Sequence, residues 1–196
     1  MYKELTAPLS LSSSFEDSIK AAYEFFDSQI NNKAKRPALF DKEIFIEASE
    51  RINDWPVGFW HIISLEETHK FKVLPCNNDI TMEHCNENCE TKSHQVCIKC
   101  QTETRNICLL RASRLPWILD IIKLANQGDS SIIVWRKPNG KLYLRYNHYG
   151  NDYVLIFSDN KKFYRLISAF PVFYTKERKE LDRDSQEFRW SYFSKK

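Results

Sequence analysis

Glycine is scarce in this chain, four residues in 196, and none opens a glycine-rich loop of the kind that wraps a phosphate in backbone N–H groups. HExxH and paired-carboxylate motifs are missing as well, which argues against nucleotide hydrolysis and zinc hydrolysis by those routes. No apolar run approaches the length of a bilayer span. No N-terminal stretch joins a basic start, a continuous apolar segment and a small-residue cleavage site. The expectation is a soluble, cytoplasmic protein with no membrane partner. Strong charge of one sign is also lacking: a net +3 is too little to announce a nucleic-acid binder.

What is present is enough apolar material for a core. Apolar residues make up 42% and aromatics 14% of the chain, which suits a single domain over 1–196. Within it, 1–54 reads as a helical N-terminal part, 76–108 as a cysteine-rich insertion, and 109–175 as a helix followed by a sheet. Residues 1–13 form a loose polar lead-in. Ser13 followed by Glu16 has the capping-box spacing, and Phe15, Ile19, Tyr23, Phe26 and Ile30 then recur at helical intervals. A second helix is predicted from the stripe Phe40, Ile44, Ala48 and Ile52, with Glu43, Glu47 and Glu50 on its other faces. Trp55-Pro56 ends it and starts a third, since proline is tolerated in a first turn. That third segment, Phe59-Trp60-His61-Ile62-Ile63, sets one histidine in an apolar run. It is either a satisfied core residue or a partly desolvated general acid or base, because imidazole exchanges protons near neutral pH.

The periodic pattern stops at Cys76 and resumes after Cys108. Between them, Cys85 and Cys89 form a CxxxC pair and Cys97 and Cys100 a CxxC pair. Two close thiolate pairs on one short stretch are what a tetrahedral zinc site needs. Cys85, Cys89, Cys97 and Cys100 are the preferred ligands, with Cys76, His84, His94 and Cys108 as substitutes. Disulfides compete, although no export signal favours them, as does a set of reduced, unliganded thiols. Four sulfur ligands would close the metal to substrate, so the zinc would be structural.

RASRLPWILDIIKLANQ, 111–127, is read as one helix with Ser113 as N-cap, Pro116 in the first turn, and Leu115, Ile118, Ile122 and Ala125 on one face. Gly128 supplies the stop. Arg111 and Arg114 then lie at the positive end of the helix dipole, beside free N–H groups, where guanidinium can grip phosphate. Pairing with acidic residues of the second helix is the alternative. Beyond Gly128 come four runs, Ile132 to Trp135, Leu142 to Tyr146, Tyr153 to Phe157 and Phe163 to Phe170, divided by turn residues. Consecutive antiparallel strands follow, so the fold class is α+β, helices packed on a four-stranded meander. From 131 to 174 seven Lys or Arg face only Asp152 and Asp159, among eleven aromatics. A cationic surface with stacking rings suits RNA or single strands; an ordinary sheet with core aromatics and solvated lysines has the same composition. The tail from Thr175 to Lys196 is mixed in charge and is either a helix or a partner-binding extension.

FWHII at 59–63, RASRLPWILDII at 111–122, and then VWRK, LYLRY, DYVLIF and YRLISAFPV together resemble the phage and prophage branch of the barnase, EndoU, colicin and RelE superfamily of ribonuclease-fold proteins. The likeness spans roughly residues 55 to 175 and rests on order and spacing. It implies helices on a four-stranded antiparallel sheet and a toxin-like, metal-independent endoribonuclease with an antitoxin or immunity protein as partner. By similarity His61, Arg111, Arg114 and Ser168 would be the catalytic set: proton transfer at His61, phosphate binding by the arginines, hydrogen bonding by Ser168. Arg145, Tyr146 and His148 are candidate substrate contacts, the last two also candidates by composition for the second proton-transfer group. The cysteine insertion departs from the family pattern. The alternative function is a non-catalytic protein of a phage or host-defence system that binds nucleic acid or a partner.

Overall fold

The structure, a computed structural model, describes residues 4–12, 14–66, 95–98, 102–172, 175–190 and 192. Helix α1 runs Phe15–Phe25 and continues through a π-helical turn, Phe26–Asn31. Its cap is Ser14, one residue beyond the predicted Ser13: the Ser14 hydroxyl accepts from the Asp17 N–H at 3.3 Å. Ile19, Ala22, Phe26 and Ile30 are buried on one side, as the spacing requires.

The predicted second helix does not form. Phe40 and Asp41 turn the chain with φ of 48° and 65°, and strand β1 follows at Glu43–Phe45. Ile44 and Ile46 are buried while Glu43 and Phe45 are exposed. A period of two therefore governs a stretch whose apolar residues also fit a period of four, and the β-branched isoleucines suit a strand. Strands β2 (Arg51–Ile52) and β3 (Trp55–Pro56) form a hairpin through Asn53 and Asp54, both at positive φ. Helix α2, Val57–Ile63, begins directly after Pro56. Its Gly58 lets the helix approach the preceding chain: a Cβ there would lie 2.6 Å from the Glu47 carbonyl oxygen.

Strands β4 (Ser64–Glu66), β5 (Gln95–Ile98) and β6 (Glu103–Ile107) make a small antiparallel sheet in the order β4-β6-β5. The expected single helix at 111–127 is two. Helix α3, Leu109–Ser113, ends at Arg114 (φ −95°, ψ 14°), and α4, Leu115–Asn126, starts afresh. Pro116 has no N–H to continue the first helix, so the ladder breaks there. Ser113 thus closes α3, its hydroxyl donating to the Leu110 carbonyl, and caps nothing. Gly128, at φ 67°, ends the second helix.

Strands β7 (Ile132–Arg136), β8 (Lys141–His148), β9 (Asn151–Asp159) and β10 (Phe163–Pro171) form the predicted antiparallel meander. The sheet has a fifth strand: β1 pairs in parallel with β10, giving the order β1-β10-β9-β8-β7. Hydrogen-bonded partners share a face, which divides the sheet in two. Leu142, Leu144, Tyr146, Tyr153, Leu155, Phe157, Tyr164, Leu166 and Ala169 join the helices in the main core. Trp135, Tyr143 and Val154 lie on the reverse with Val172 and Leu181. Leu181 belongs to helix α5, Thr175–Glu187, so the tail is a helix laid on that reverse face. After it the chain returns to the β7 edge, where Trp190 N–H donates to the Val134 carbonyl. The lead-in is likewise tied down, with Trp117 Nε1 donating to the Thr6 carbonyl at 2.7 Å. Among the described residues no helix is long and apolar enough to cross a membrane.

Candidate functional site

His61 lies in the last turn of α2 and is partly exposed, while Phe59, Ile62 and Ile63 hold that helix in the core. One turn on, fully buried Ser64 ends the helix. The Ser64 hydroxyl donates to the Trp60 carbonyl and accepts from Arg105 Nε at 2.8 Å. Its carbonyl accepts from Arg105 Nη2 at 3.2 Å and from Arg111 Nη1 at 2.8 Å. A helix C-terminus is the negative end of its dipole. The cation that sequence placed at the start of its own helix therefore serves as a cap on the end of another.

Arg111 is 9% exposed. Burial lowers its pKa from the usual guanidinium value; nearby Cys108, Tyr153 and Glu177 pull it back up, and Arg105 pushes it down. Its Cζ lies 5.4 Å from the centre of the Phe170 ring. Among the described residues its one hydrogen bond goes to a neutral carbonyl. Arg105, by contrast, is bonded to the Glu103 carboxylate at 2.6 Å. Arg114 donates to the Leu110 carbonyl at 3.2 Å and lies 4.8 Å over the Trp117 ring. Trp117 packs edge-on against Tyr153, centroids 5.3 Å apart. The buried Tyr153 hydroxyl has no hydrogen-bond partner among the described residues. Burial pushes its pKa far above the phenol range, and the charges of Arg111 and Arg114 oppose that. Arg111, Arg114 and the end of α2 thus converge beside Tyr153.

Other expected members lie elsewhere. Ser168 is partnered with Ile156, and the bulge between Leu166 and Ser168 sets the register beyond it. Ile156 packs with the reverse-face cluster, so the Ser168 side chain is on the sheet face opposite the helices. The helix that carries His61 packs on the other face, whereas Arg111 lies at the strand edge over Phe170, which shares the Ser168 face. Arg145 is 0% exposed: it donates to both Asp152 carboxylate oxygens at 2.8 and 2.7 Å and to Asp182 at 2.7 Å. Burial alone would lower its pKa, but these carboxylates outweigh that and raise it. It is a structural ion pair, with no donors turned to a substrate surface. Tyr146 is buried in the main core, its ring 5.6 Å from that of His148 at the strand end. Strand alternation sends Arg145 and Tyr146 to opposite faces, so Arg145, Tyr146 and His148 form no common contact surface.

Of the predicted zinc ligands, Cys85, Cys89 and Cys100 lie outside the described residues, as do Cys76, His84 and His94. Cys97 is an exposed free thiol on β5, 3.7 Å from the Thr104 hydroxyl. Cys108 is buried at the start of α3, away from solvent. Among the described residues no group of three or more His, Cys, Asp or Glu could hold a metal ion.

Sequence reasoning missed Ser64, Arg105, Tyr153 and Glu177. Arg105 sits in the polar strand ETRNI within the cysteine-rich stretch, where no period marks it as inward. Tyr153 occupies an ordinary inward strand position. Comparison with protein-family models, curated proteins and solved structures returns no match to this chain.

Proposed function

We propose that this chain is a metal-independent endoribonuclease that cleaves RNA by attack of a 2′-hydroxyl on the adjacent phosphate. The observation that carries the reading is the junction at the end of α2. His61 stands one turn before Ser64, and the Ser64 carbonyl is held by Arg111, a buried guanidinium with no carboxylate hydrogen-bonded to it among the described residues. In this reading His61 moves the proton of the attacking or leaving oxygen, and Arg111 and Arg114 stabilise charge on the phosphate. Ser168, on the sheet face away from the helix of His61, would reach the phosphate from the side of Phe170, over whose ring Arg111 lies. The closed zinc site of Cys85, Cys89, Cys97 and Cys100 belongs to the same proposal as a structural brace. Cys97, exposed and free of disulfide, is chemically fit to ligate. RNA, and an antitoxin or immunity protein, are the proposed partners.

A second reading, a non-catalytic protein that binds RNA or a partner, is favoured by the positions of Ser168 and Arg145. They leave His61 without an identified second proton-transfer group at the junction. The test is incubation of pure protein with RNA in the presence of chelator. Cleavage leaving cyclic phosphate ends is expected, with a loss of about 100-fold or more in His61→Ala and a comparable loss in Arg114→Ala. Unchanged cleavage in both variants overturns the site. Salt-dependent binding without turnover selects the second reading.

A further inference from the structure

Arg111 and Tyr153 pose one physical problem from two sides. A buried charge is ordinarily paired, yet among the described residues Arg111 has one hydrogen bond, to the neutral Ser64 carbonyl. A buried hydroxyl ordinarily finds a partner, yet the phenol of Tyr153, 0% exposed, has none among the described residues. The two residues meet at the β10 edge, where the charges of Arg111 and Arg114 act on the phenol. Tyr153 pairs across the strands with Pro171 on the helix side, while the preceding Phe170 turns its ring to the reverse face, where the Arg111 guanidinium lies over it. On the other side Tyr153 meets Trp117, the ring that Arg114 covers. The Trp190 indole N–H is also buried without a partner, but it belongs to the ring under Arg136, and Asp159 pairs with Arg136 at 2.8 Å. At the Arg111 junction a guanidinium with no carboxylate hydrogen-bonded to it among the described residues, although Glu177 lies within its field, coincides with an unused donor.

We propose that the Tyr153 hydroxyl donates a hydrogen bond to an oxyanion held by Arg111, so that the two form a buried seat for one phosphate group. A phosphate oxygen would accept from the phenol and the guanidinium together, giving the unpartnered donor an acceptor and the guanidinium a hydrogen-bonded anion at once. The approach is the outer edge of β10. Pairing with β1 ends at Arg165, and Arg111, 9% exposed, lies over the ring of Phe170 further along that strand. The inference rests on the phosphate-binding half of the ribonuclease reading and needs none of its catalysis. The shared chemistry is that of phosphate, from an RNA backbone or from free phosphate ion.

The test is Tyr153→Phe, which keeps the ring and removes only the hydroxyl. Thermal melting and affinity are measured on the full chain with two probes, inorganic phosphate and an all-2′-deoxy oligonucleotide that cannot be cut by 2′-hydroxyl attack. The expected result is a split: ligand-free Tyr153→Phe melts no lower than wild type, while its affinity for at least one probe falls about tenfold or more. A merely structural tyrosine would move the melting temperature and leave affinity alone. Arg111→Met, which removes the cation, should abolish the response to either probe. Weakened binding of the oligonucleotide assigns the seat to a nucleic-acid phosphate; weakening confined to inorganic phosphate keeps the seat and assigns it to the free ion. Equal affinity in Tyr153→Phe and wild type, or no binding of either probe by wild type, overturns the inference. Cleavage assayed in parallel keeps the two ideas apart: intact RNA with a Tyr153-dependent phosphate affinity removes the nuclease alone, and RNA cut by a variant with unchanged affinity removes the Tyr153 seat alone.

Discussion

Arg145 and Arg111 are both buried guanidiniums, and their hydrogen-bond partners differ in charge. Arg145 is matched by two carboxylates, Asp152 and Asp182, with Arg178 closing on Asp152 from α5 at 3.2 Å. Arg111 is held by a backbone carbonyl and an aromatic ring. The first arrangement satisfies the ion internally and fixes α5 to the sheet. The second leaves guanidinium capacity unspent in a partly enclosed place, as a ligand site requires. Burial of an arginine therefore says little about function; what neutralises it says more.

Substitutions can break this contrast. Asp152→Ala should be the most damaging, because it strands Arg145 with only the half-exposed Asp182: a loss of about 3–5 kcal/mol is expected in chemical denaturation. A loss below about 1 kcal/mol would show the pair contributes no more than a surface ion pair. Gly58→Ala comes next. Its Cβ meets backbone, the Glu47 carbonyl, and overpacking of that kind costs about 1–3 kcal/mol. It should also displace the end of α2, so the proposed nuclease activity is expected to fall further than stability does. Arg111→Met should change stability by less than about 1 kcal/mol or increase it, since removing a buried charge whose one hydrogen bond among the described residues goes to a neutral carbonyl relieves its desolvation. The Ser64 carbonyl keeps Arg105 as donor. A large loss in Arg111→Met would make the two arginines equivalent and remove the contrast.

The smallest effect concerns pH. Glu177 sits in the first turn of α5, and burial raises its pKa above the ordinary carboxylate value; Arg111 pulls it down, while Asp152 and Glu180 raise it further. An acid whose folded pKa is raised holds its proton more tightly in the folded state. Its contribution is therefore most favourable below the unfolded value and declines as pH rises through the interval to the folded value, beyond which it is flat. Glu177→Gln should flatten the melting-temperature profile across that interval and melt slightly higher above it. An unchanged profile would mean the carboxylate is not desolvated there.

Some of this was readable in advance, and the failures have distinct causes. The meander over 132–171 and helix α1 rest on strong local periods, and both stand where expected. The stretch at 40–52 satisfied two periods at once, and positive φ at Phe40 and Asp41 resolved it toward strand. At 111–127 the helical stripe was correctly seen, but Pro116 divides the segment, and with the division the N-terminal position assigned to Arg111 disappeared. Ser168 was expected beside His61; a single bulge in β10 sets its register, and a one-residue shift reverses the face of every later side chain.

Fold class, the four strands of the meander and the position of His61 on a short helix followed from apolar spacing, because a side chain's local period reports which way it faces. The partners of the charges did not. Arg145 lies against Asp182, and Arg111 against Ser64 and Phe170, across distances in sequence that no local pattern spans. Only packing of the helices on one face and of α5 on the other determined which guanidinium was neutralised and which was left beside an unused hydroxyl.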